Sequence, residues 1–100
     1  MNKDNILSLI NTHKEEIRKF GLLKIGLFGS YIRDEQKDSS DIDILAEFEK
    51  GKKTYKNFIH LCFYLDDLFK GKKVEVVTLE GLSPYLKPYI EKEVVYEKLC

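Results

Sequence analysis

The sequence predicts an α/β fold in which a small mixed β-sheet is packed by helices. Short apolar segments have the length and alternation of β-strands, and longer segments with helical spacing of apolar residues lie between them. The chain has 100 residues and 43% hydrophobic content, which suffices for one core, and no internal repeat divides it. We therefore expect a single domain over residues 1–100 with the order helix, strand, strand, helix, strand, helix.

The first two elements are a helix and a strand. Residues 4–20 carry apolar side chains at helical spacing, and Gly21 can supply the left-handed residue that ends this helix. Residues 22–28 are apolar and short, which is typical of a strand. We expect one face of this strand to consist of Leu23, Ile25 and Leu27. Gly26 would leave room on the other face, and the strand ends at Gly29-Ser30.

The middle of the chain predicts a second strand between polar segments. Residues 31–40 are polar, which suits a short helix and a turn, and residues 50–53 read as a solvated turn. Residues 41–49 alternate strictly, so their side chains divide between two faces. One face would consist of Ile42, Ile44, Ala46 and Phe48, and the other of Asp41, Asp43, Leu45 and Glu47.

The remaining elements are predicted from the spacing of apolar residues and from the positions of the two prolines. Residues 54–69 carry a broad apolar stripe typical of a helix, namely Tyr55, Phe58, Ile59, Cys62, Leu65 and Phe69. Residues 73–79 predict a third strand with Val74, Val76 and Thr78 on one face and Glu75 and Val77 on the other. Pro84 and Pro88 precede a helix through residues 90–93, and residues 94–96 predict a last short strand.

Charge and composition narrow the class of function. Seventeen basic and seventeen acidic residues cancel, so the global positive field of a dedicated nucleic-acid binder is missing. The sequence has neither a signal-like apolar start nor an apolar run of membrane-spanning length, which predicts a cytoplasmic protein without a membrane contact. Cys62 and Cys100 form no C-x-x-C motif, and we interpret both as reduced thiols.

Acidic residues on neighbouring strands predict a metal site. Asp41 and Asp43 are two residues apart and project from one face, and Glu75 joins them if the third strand lies alongside. Crowded carboxylates repel one another unless a cation neutralises them, and hard oxygen ligands suit Mg²⁺ or Mn²⁺. Such ions can hold a triphosphate for in-line displacement. A lone D-x-D motif also arises by chance on exposed strands, so this prediction depends on the combination.

A candidate phosphate-binding turn precedes the acidic pair. Gly29 at a strand end allows a phosphate to approach the backbone, and the Ser30 hydroxyl and following amides can donate hydrogen bonds. Arg33 lies one turn further. Two interpretations of Arg33 stay open, a charge-assisted phosphate contact or an ordinary ion pair with Asp34, Glu35 or Asp38. Ser30 can also cap the turn that follows it, which is compatible with phosphate binding.

The spacing of these residues resembles a known family. Gly29-Ser30, ten residues, and then Asp41-Ile42-Asp43 resemble the G-S-x₁₀-D-x-D signature of the DNA polymerase beta-like nucleotidyltransferases, and the short chain resembles their minimal, MntA-like branch. The resemblance spans about residues 22–77. It implies the polymerase beta-like nucleotidyltransferase fold, two metals on Asp41 and Asp43, a triphosphate at the Gly-Ser turn, and a third carboxylate at Glu75.

The resemblance also implies a reaction and a partner. Family members bind ATP or another nucleotide, and MntA-like domains often serve as antitoxins to a helical HEPN-type ribonuclease, some by adenylylating a tyrosine. The family usually has Asp where this chain has Glu75. Two functions therefore stay open, transfer of AMP to a partner macromolecule or masking of a partner protein by a catalytically weak domain. A homodimer through the second or last helix is also left open. Polymerase activity has little support, because a chain of 100 residues has no room for template-binding regions.

Overall fold

The computed structural model describes residues 1–99, so the prediction of a reduced thiol at Cys100 lies outside the described residues. The helices and strands follow one another in the order α1 (Lys3–Thr12), α2 (Lys14–Arg18), β1 (Leu22–Phe28), β2 (Ile42–Phe48), α3 (Tyr55–Leu68), β3 (Val74–Thr78), α4 (Lys87–Glu93) and β4 (Val95–Lys98). Turns of 3₁₀ helix at Gly29–Tyr31 and Leu79–Gly81 follow β1 and β3. The predicted α/β class is confirmed.

The four strands form one mixed sheet in the order β3-β2-β1-β4. β2 pairs with β3 in parallel, and β1 pairs with both β2 and β4 in antiparallel fashion. The parallel pair needs a crossover connection, which α3 provides. β2 therefore lies between β1 and β3, which brings the Gly-Ser turn, the acidic pair and Glu75 to neighbouring positions.

The hydrophobic core lies between one face of the sheet and helices α1, α2 and α3. Isoleucine and leucine dominate it, and each side chain of this kind contributes about 1.5–3 kcal/mol when fully buried. The cluster consists of Ile6, Ile10, Ile17, Leu22, Ile25, Leu27, Tyr31, Ile42, Ile44, Ala46, Leu61, Leu65, Phe69 and Leu99. Because the core occupies this face, Asp43 and Glu75 lie on the opposite face, beside α4.

The first helix and the first strand differ in detail from the prediction. The helix over residues 4–20 is divided at His13, whose φ is −106° and whose Nδ1 lies 2.9 Å from the Leu9 carbonyl oxygen. The prediction that Leu23 shares a face with Ile25 was wrong. A register shift between Leu22 and Lys24 places Leu22 in the core, and Leu23 is 41% exposed.

The second helix and the polar segment also differ from the prediction. Tyr55, which we assigned to the apolar stripe of α3, is 81% exposed, whereas Leu61 is fully buried. The buried face of α3 is therefore rotated toward Leu61 and Leu65, which are four residues apart. The helix predicted within residues 31–40 is reduced to the 3₁₀ turn that ends at Tyr31. No helix within residues 1–99 combines the length and apolar content needed to cross a bilayer.

Candidate active site

A cleft of about 380 Å³ opens on the face of the sheet opposite the core. Its floor comes from the ends of β1, β2 and β3, and one wall comes from α4 and the segment before it. The residues that line it are Phe28, Gly29, Arg33, Asp43, Glu75, Val77, Leu82, Leu86, Tyr89, Ile90 and Glu93. One half of the cleft is therefore charged and the other half is apolar, a combination found in small-molecule sites.

Strand register places Asp43 at the centre of the charged half. Asp43 is the partner of Phe28 across the antiparallel pair and of Glu75 across the parallel pair. Neighbouring strands lie about 4.8 Å apart, so Asp43 and Glu75 project side by side from the same face. Asp41 lies just before the first residue of β2, on the same side as Asp43. The three predicted acids thus lie at one end of the sheet.

Gly29 allows the backbone after β1 to pass directly over Asp43. Its φ is +79°, a conformation that side chains other than glycine rarely adopt. A Cβ atom placed on Gly29 would overlap Oδ2 of Asp43. Because this close approach excludes a side chain, the Gly-Ser turn and the acidic pair form one compact unit.

The surroundings of Asp43 disfavour its charged form. Burial, followed by the charges of Glu75 and Asp41, raises the pKa of Asp43 to about 6, although Arg33 acts in the opposite direction. A carboxylate whose pKa is raised by burial and by neighbouring carboxylates is common at functional sites. This is the electrostatic signature that a bound cation would remove.

Arg33 is held by two carboxylates. Its Nε donates to Oε1 of Glu35 at 2.9 Å, and its Nη1 lies 3.1 and 3.0 Å from the two carboxylate oxygens of Glu93. These contacts raise the pKa of Arg33, with the Glu35 hydrogen bond as the main cause. Of the ion pairs considered from sequence, the Glu35 pair is confirmed, and the phosphate contact of Arg33 stays a prediction.

Ser30 lies in the 3₁₀ turn beside the cleft and is half-buried. Its side chain does not cap that turn, whose N-terminal flanking residue is Phe28 and makes no side-chain capping bond. The prediction of a capping role is therefore wrong for this turn. The prediction that the Ser30 hydroxyl binds a phosphate oxygen is unaffected.

The carboxylates at this end of the sheet fit a divalent cation whose coordination shell is completed by the phosphates of a substrate. Across residues 1–99, no group of three or more His, Cys, Asp and Glu side chains converges as a metal site. Mg²⁺, however, is usually bound by one or two carboxylates together with substrate phosphates and water, and not by an all-protein cage. The pair of Asp43 and Glu75, with Asp41 beside it, supplies oxygen ligands of this kind.

Two features of the cleft were missed by the sequence reasoning. Glu93 was read only as the end of a helix, yet its carboxylate accepts a hydrogen bond from the Gly29 amide at 2.9 Å. The sequence also did not indicate that Leu82, Leu86 and Tyr89 form an apolar wall of the cleft. Both lie on the last third of the chain, more than fifty residues after the Gly-Ser turn, and no local spacing links them to it.

Comparison with known proteins identifies similar sequences. Residues 10–97 match the family model of the nucleotidyltransferase domain. Protein adenylyltransferase MntA of Thermococcus cleftensis is 42% identical over 94 residues, which cover 93% of this chain and 93% of that protein. The family model therefore covers β1, β2, β3 and α4 together with the turn at Gly29.

Solved structures extend the comparison to the fold. A structure assigned as a minimal nucleotidyltransferase has a TM-score of 0.80 and 27% identity, and it covers 95% of both chains. A toxin–antitoxin crystal structure with AMP-PNP has a TM-score of 0.64 and 24% identity, with 100% of this chain and 73% of that chain covered. At that lower identity the likeness concerns the fold alone.

Proposed function

This chain belongs to the nucleotidyltransferase domain family and to its MntA-like protein adenylyltransferases, and from this premise we propose that it transfers AMP from ATP to a hydroxyl group of a partner macromolecule. In this reaction the acceptor hydroxyl gives up its proton to a site carboxylate or to water, and its oxygen forms a bond to the α-phosphorus. The bond from the α-phosphorus to the oxygen that bridges the α and β phosphates breaks, and pyrophosphate leaves. The observation that carries the proposal is the position of Asp43, directly under the Gly29 backbone and beside Glu75.

The Gly-Ser turn is assigned to the triphosphate. Glycine at position 29 lets the backbone of the turn lie against Asp43, and the Ser30 hydroxyl can donate a hydrogen bond to a phosphate oxygen. Arg33 lines the same cleft and has a permanent positive charge. These three residues would bind and orient the phosphates against the acidic edge of the sheet.

The acids are assigned to a divalent cation. Asp41, Asp43 and Glu75 would hold Mg²⁺ or Mn²⁺, which when bound neutralises phosphate charge and lowers the pKa of the acceptor hydroxyl. Asp43 contributes most in this scheme because it lies between Gly29 and Glu75. Glu75 is one methylene longer than the usual Asp and is exposed, which gives it a longer reach into the cleft.

The acceptor is assigned to another chain. The cleft is open to solvent, and next to it Tyr85, Leu86 and Tyr89 are 86%, 55% and 73% exposed. Exposed apolar side chains grouped beside a charged cleft are typical of a surface that meets a partner. We assign this surface to the macromolecule that carries the acceptor hydroxyl, with an HEPN-type toxin as the class of partner that the resemblance implies.

A label-transfer experiment tests this function. Wild-type protein, α-labelled ATP and Mg²⁺ are incubated with host-cell lysate, and label is followed into protein and RNA. Asp43→Asn should abolish labelling without loss of fold. Glu47→Gln is the matched control, since Glu47 lies on the same strand outside the cleft and pairs with Lys24 at 3.5 Å. Full labelling by Asp43→Asn would refute the assignment of Asp43.

A second function is favoured by the exposed ridge of Tyr85, Leu86 and Tyr89. In this alternative the domain binds nucleotide but acts mainly by masking a partner protein, and Glu75 in place of Asp makes transfer weak. A complex between this chain and the candidate toxin that survives the double change Asp41→Asn and Asp43→Asn would favour masking. A complex lost by Tyr89→Ser but kept by the acidic double variant would place recognition on the ridge.

A further inference from the structure

Glu93, the last residue of α4, joins two parts of the candidate nucleotide site. One carboxylate oxygen accepts from the Gly29 amide at 2.9 Å, and the carboxylate also receives a two-pronged contact from Arg33 Nη1 at 3.0 and 3.1 Å. Glu93 lies 64 positions after Gly29 and 60 positions after Arg33 in the sequence. Glu93 therefore connects the C-terminal helix to the turn that is assigned to phosphate.

Burial separates the hydrogen bond between Gly29 and Glu93 from an ordinary surface contact, whereas the Arg33 side chain of the ion pair is 48% exposed. Exposed pairs contribute little because water screens them and both side chains lose freedom. The Glu93 side chain is only 23% exposed, and Gly29 is buried. A buried backbone amide that loses its acceptor also costs the full desolvation of that group. Loss of the Glu93 carboxylate should therefore disturb the turn itself.

The contact leaves part of Arg33 unused. Nε of Arg33 contacts Glu35 and Nη1 contacts Glu93, and Nη2 takes part in neither salt bridge. A guanidinium has five N–H donors in a rigid plane, so fixing two of its nitrogens fixes the direction of the third. Arg33 thus has a preset orientation along the edge of the cleft before any phosphate arrives.

We propose that Glu93 is a positioning residue for the nucleotide, which holds the Gly29 turn and the Arg33 guanidinium in the arrangement that receives the triphosphate. The inference rests on the proposed function because it assumes that this turn binds phosphate. Its opposite is that Glu93 occupies the phosphate position and competes with the nucleotide. The two predict effects of opposite sign on nucleotide affinity.

Nucleotide affinity in a double-mutant cycle tests the proposal. Binding of AMP-PNP with Mg²⁺ is measured by calorimetry for wild type, Glu93→Gln, Arg33→Ala and the double variant. Glu93→Gln keeps the size of the side chain and removes the charge that pairs with Arg33. We expect it to weaken binding roughly ten-fold, as for the loss of one partly exposed charge-assisted contact. In the Arg33→Ala background the same change should leave affinity within about two-fold or improve it.

A matched control and a second readout separate positioning from general damage. Glu91→Gln removes the same charge from the exposed side of α4 and should leave affinity unchanged. Hydrogen exchange at the Gly29 amide in the nucleotide-free protein should be slow in wild type and in Glu91→Gln. It should be clearly faster in Glu93→Ala, which lacks the acceptor entirely.

Three results overturn the proposal. Tighter AMP-PNP binding by Glu93→Gln would show competition, and equal ten-fold losses with and without Arg33 would show that Glu93 does not act through Arg33. Failure of the wild type to bind AMP-PNP would refute the proposed function and the positioning role with it. Wild-type binding, together with an additive cycle and unchanged exchange of the Gly29 amide in Glu93→Ala, would refute the positioning role alone.

Discussion

Replacing Asp43 with Asn should stabilise the metal-free protein at neutral pH. Asp43 is partly buried beside Glu75 and Asp41, so its charge is unfavourable in the folded state and unproblematic in the unfolded chain. Asn has nearly the same shape and no charge, so it removes the repulsion and leaves the space under Gly29 filled. An activity-destroying change that increases stability is the expected signature of a functional site.

The size and the sign of the effect follow from the pKa of Asp43. Its folded pKa of about 6 lies above the ordinary value of 3.8. The difference corresponds to about 3 kcal/mol if taken at face value. Asp43 is only half-buried at an open cleft, so screening by water reduces this to roughly 1–1.5 kcal/mol. Because the folded state binds the extra proton, the penalty is absent below about pH 4 and grows as pH rises through about 6.

Urea denaturation of wild type and Asp43→Asn at pH 4, 6 and 8 in the presence of EDTA measures the effect. The free energy of unfolding should be equal at pH 4 and higher for Asp43→Asn at pH 8, with the gap opening between about pH 4 and 6. Asp66→Asn, on the exposed side of α3, controls for the change in net charge. Glu75→Gln should reproduce part of the gain.

Two results would refute this reasoning. If Asp43→Asn were less stable than wild type at pH 8, the charge of Asp43 would be compensated in the folded protein. An equal gain at pH 4 and pH 8 would mean that the effect does not arise from charge. Addition of Mg²⁺ should raise the stability of the wild type and leave Asp43→Asn nearly unchanged, since a ligand stabilises only the state that binds it.

The remaining predictions concern the two glycines and the third acid. Gly29→Ala should abolish AMP-PNP binding in calorimetry and lower the unfolding midpoint, because Ala pays about 1–2 kcal/mol at positive φ and its Cβ overlaps Asp43. Gly26→Ala should cost about 2 kcal/mol in urea denaturation, because its Cβ would lie 2.5 Å from Val94 Cγ2. Glu75→Asp should raise the label-transfer rate several-fold if the longer side chain misplaces the third oxygen; an unchanged rate would show that the length is immaterial.

The strands and their acids were predictable from the sequence because their signals are local. The seven residues of β1 coincide with the predicted range, and strict alternation placed Asp43 on the face away from the core. The resemblance to the nucleotidyltransferases rested on about residues 22–77, which include these strands, and it is confirmed. The neighbouring position of Glu75 required the parallel register of β2 and β3, which the sequence could only state as a condition.

The wrong predictions came from tertiary effects that the spacing of apolar residues alone does not encode. One residue of register shift in β1 exchanged Leu22 and Leu23 between the core and solvent. Which face of α3 is buried depended on its packing against the sheet and the core, so Tyr55 was misassigned. The role of Glu93 depended on a contact between chain segments sixty residues apart. Tertiary pairing of this kind leaves no trace in local spacing.

The charge balance of the cleft explains why its parts belong together. Asp43, Glu75 and Glu93 line the cleft together with Arg33, which is the basic residue among the lining side chains within residues 1–99. A triphosphate alone would add negative charge to this group, so binding depends on a cation that the acids attract. Arg33 is already neutralised by Glu35 and Glu93. We therefore expect its contribution to be geometric, with Arg33 orienting a phosphate whose charge a bound cation neutralises.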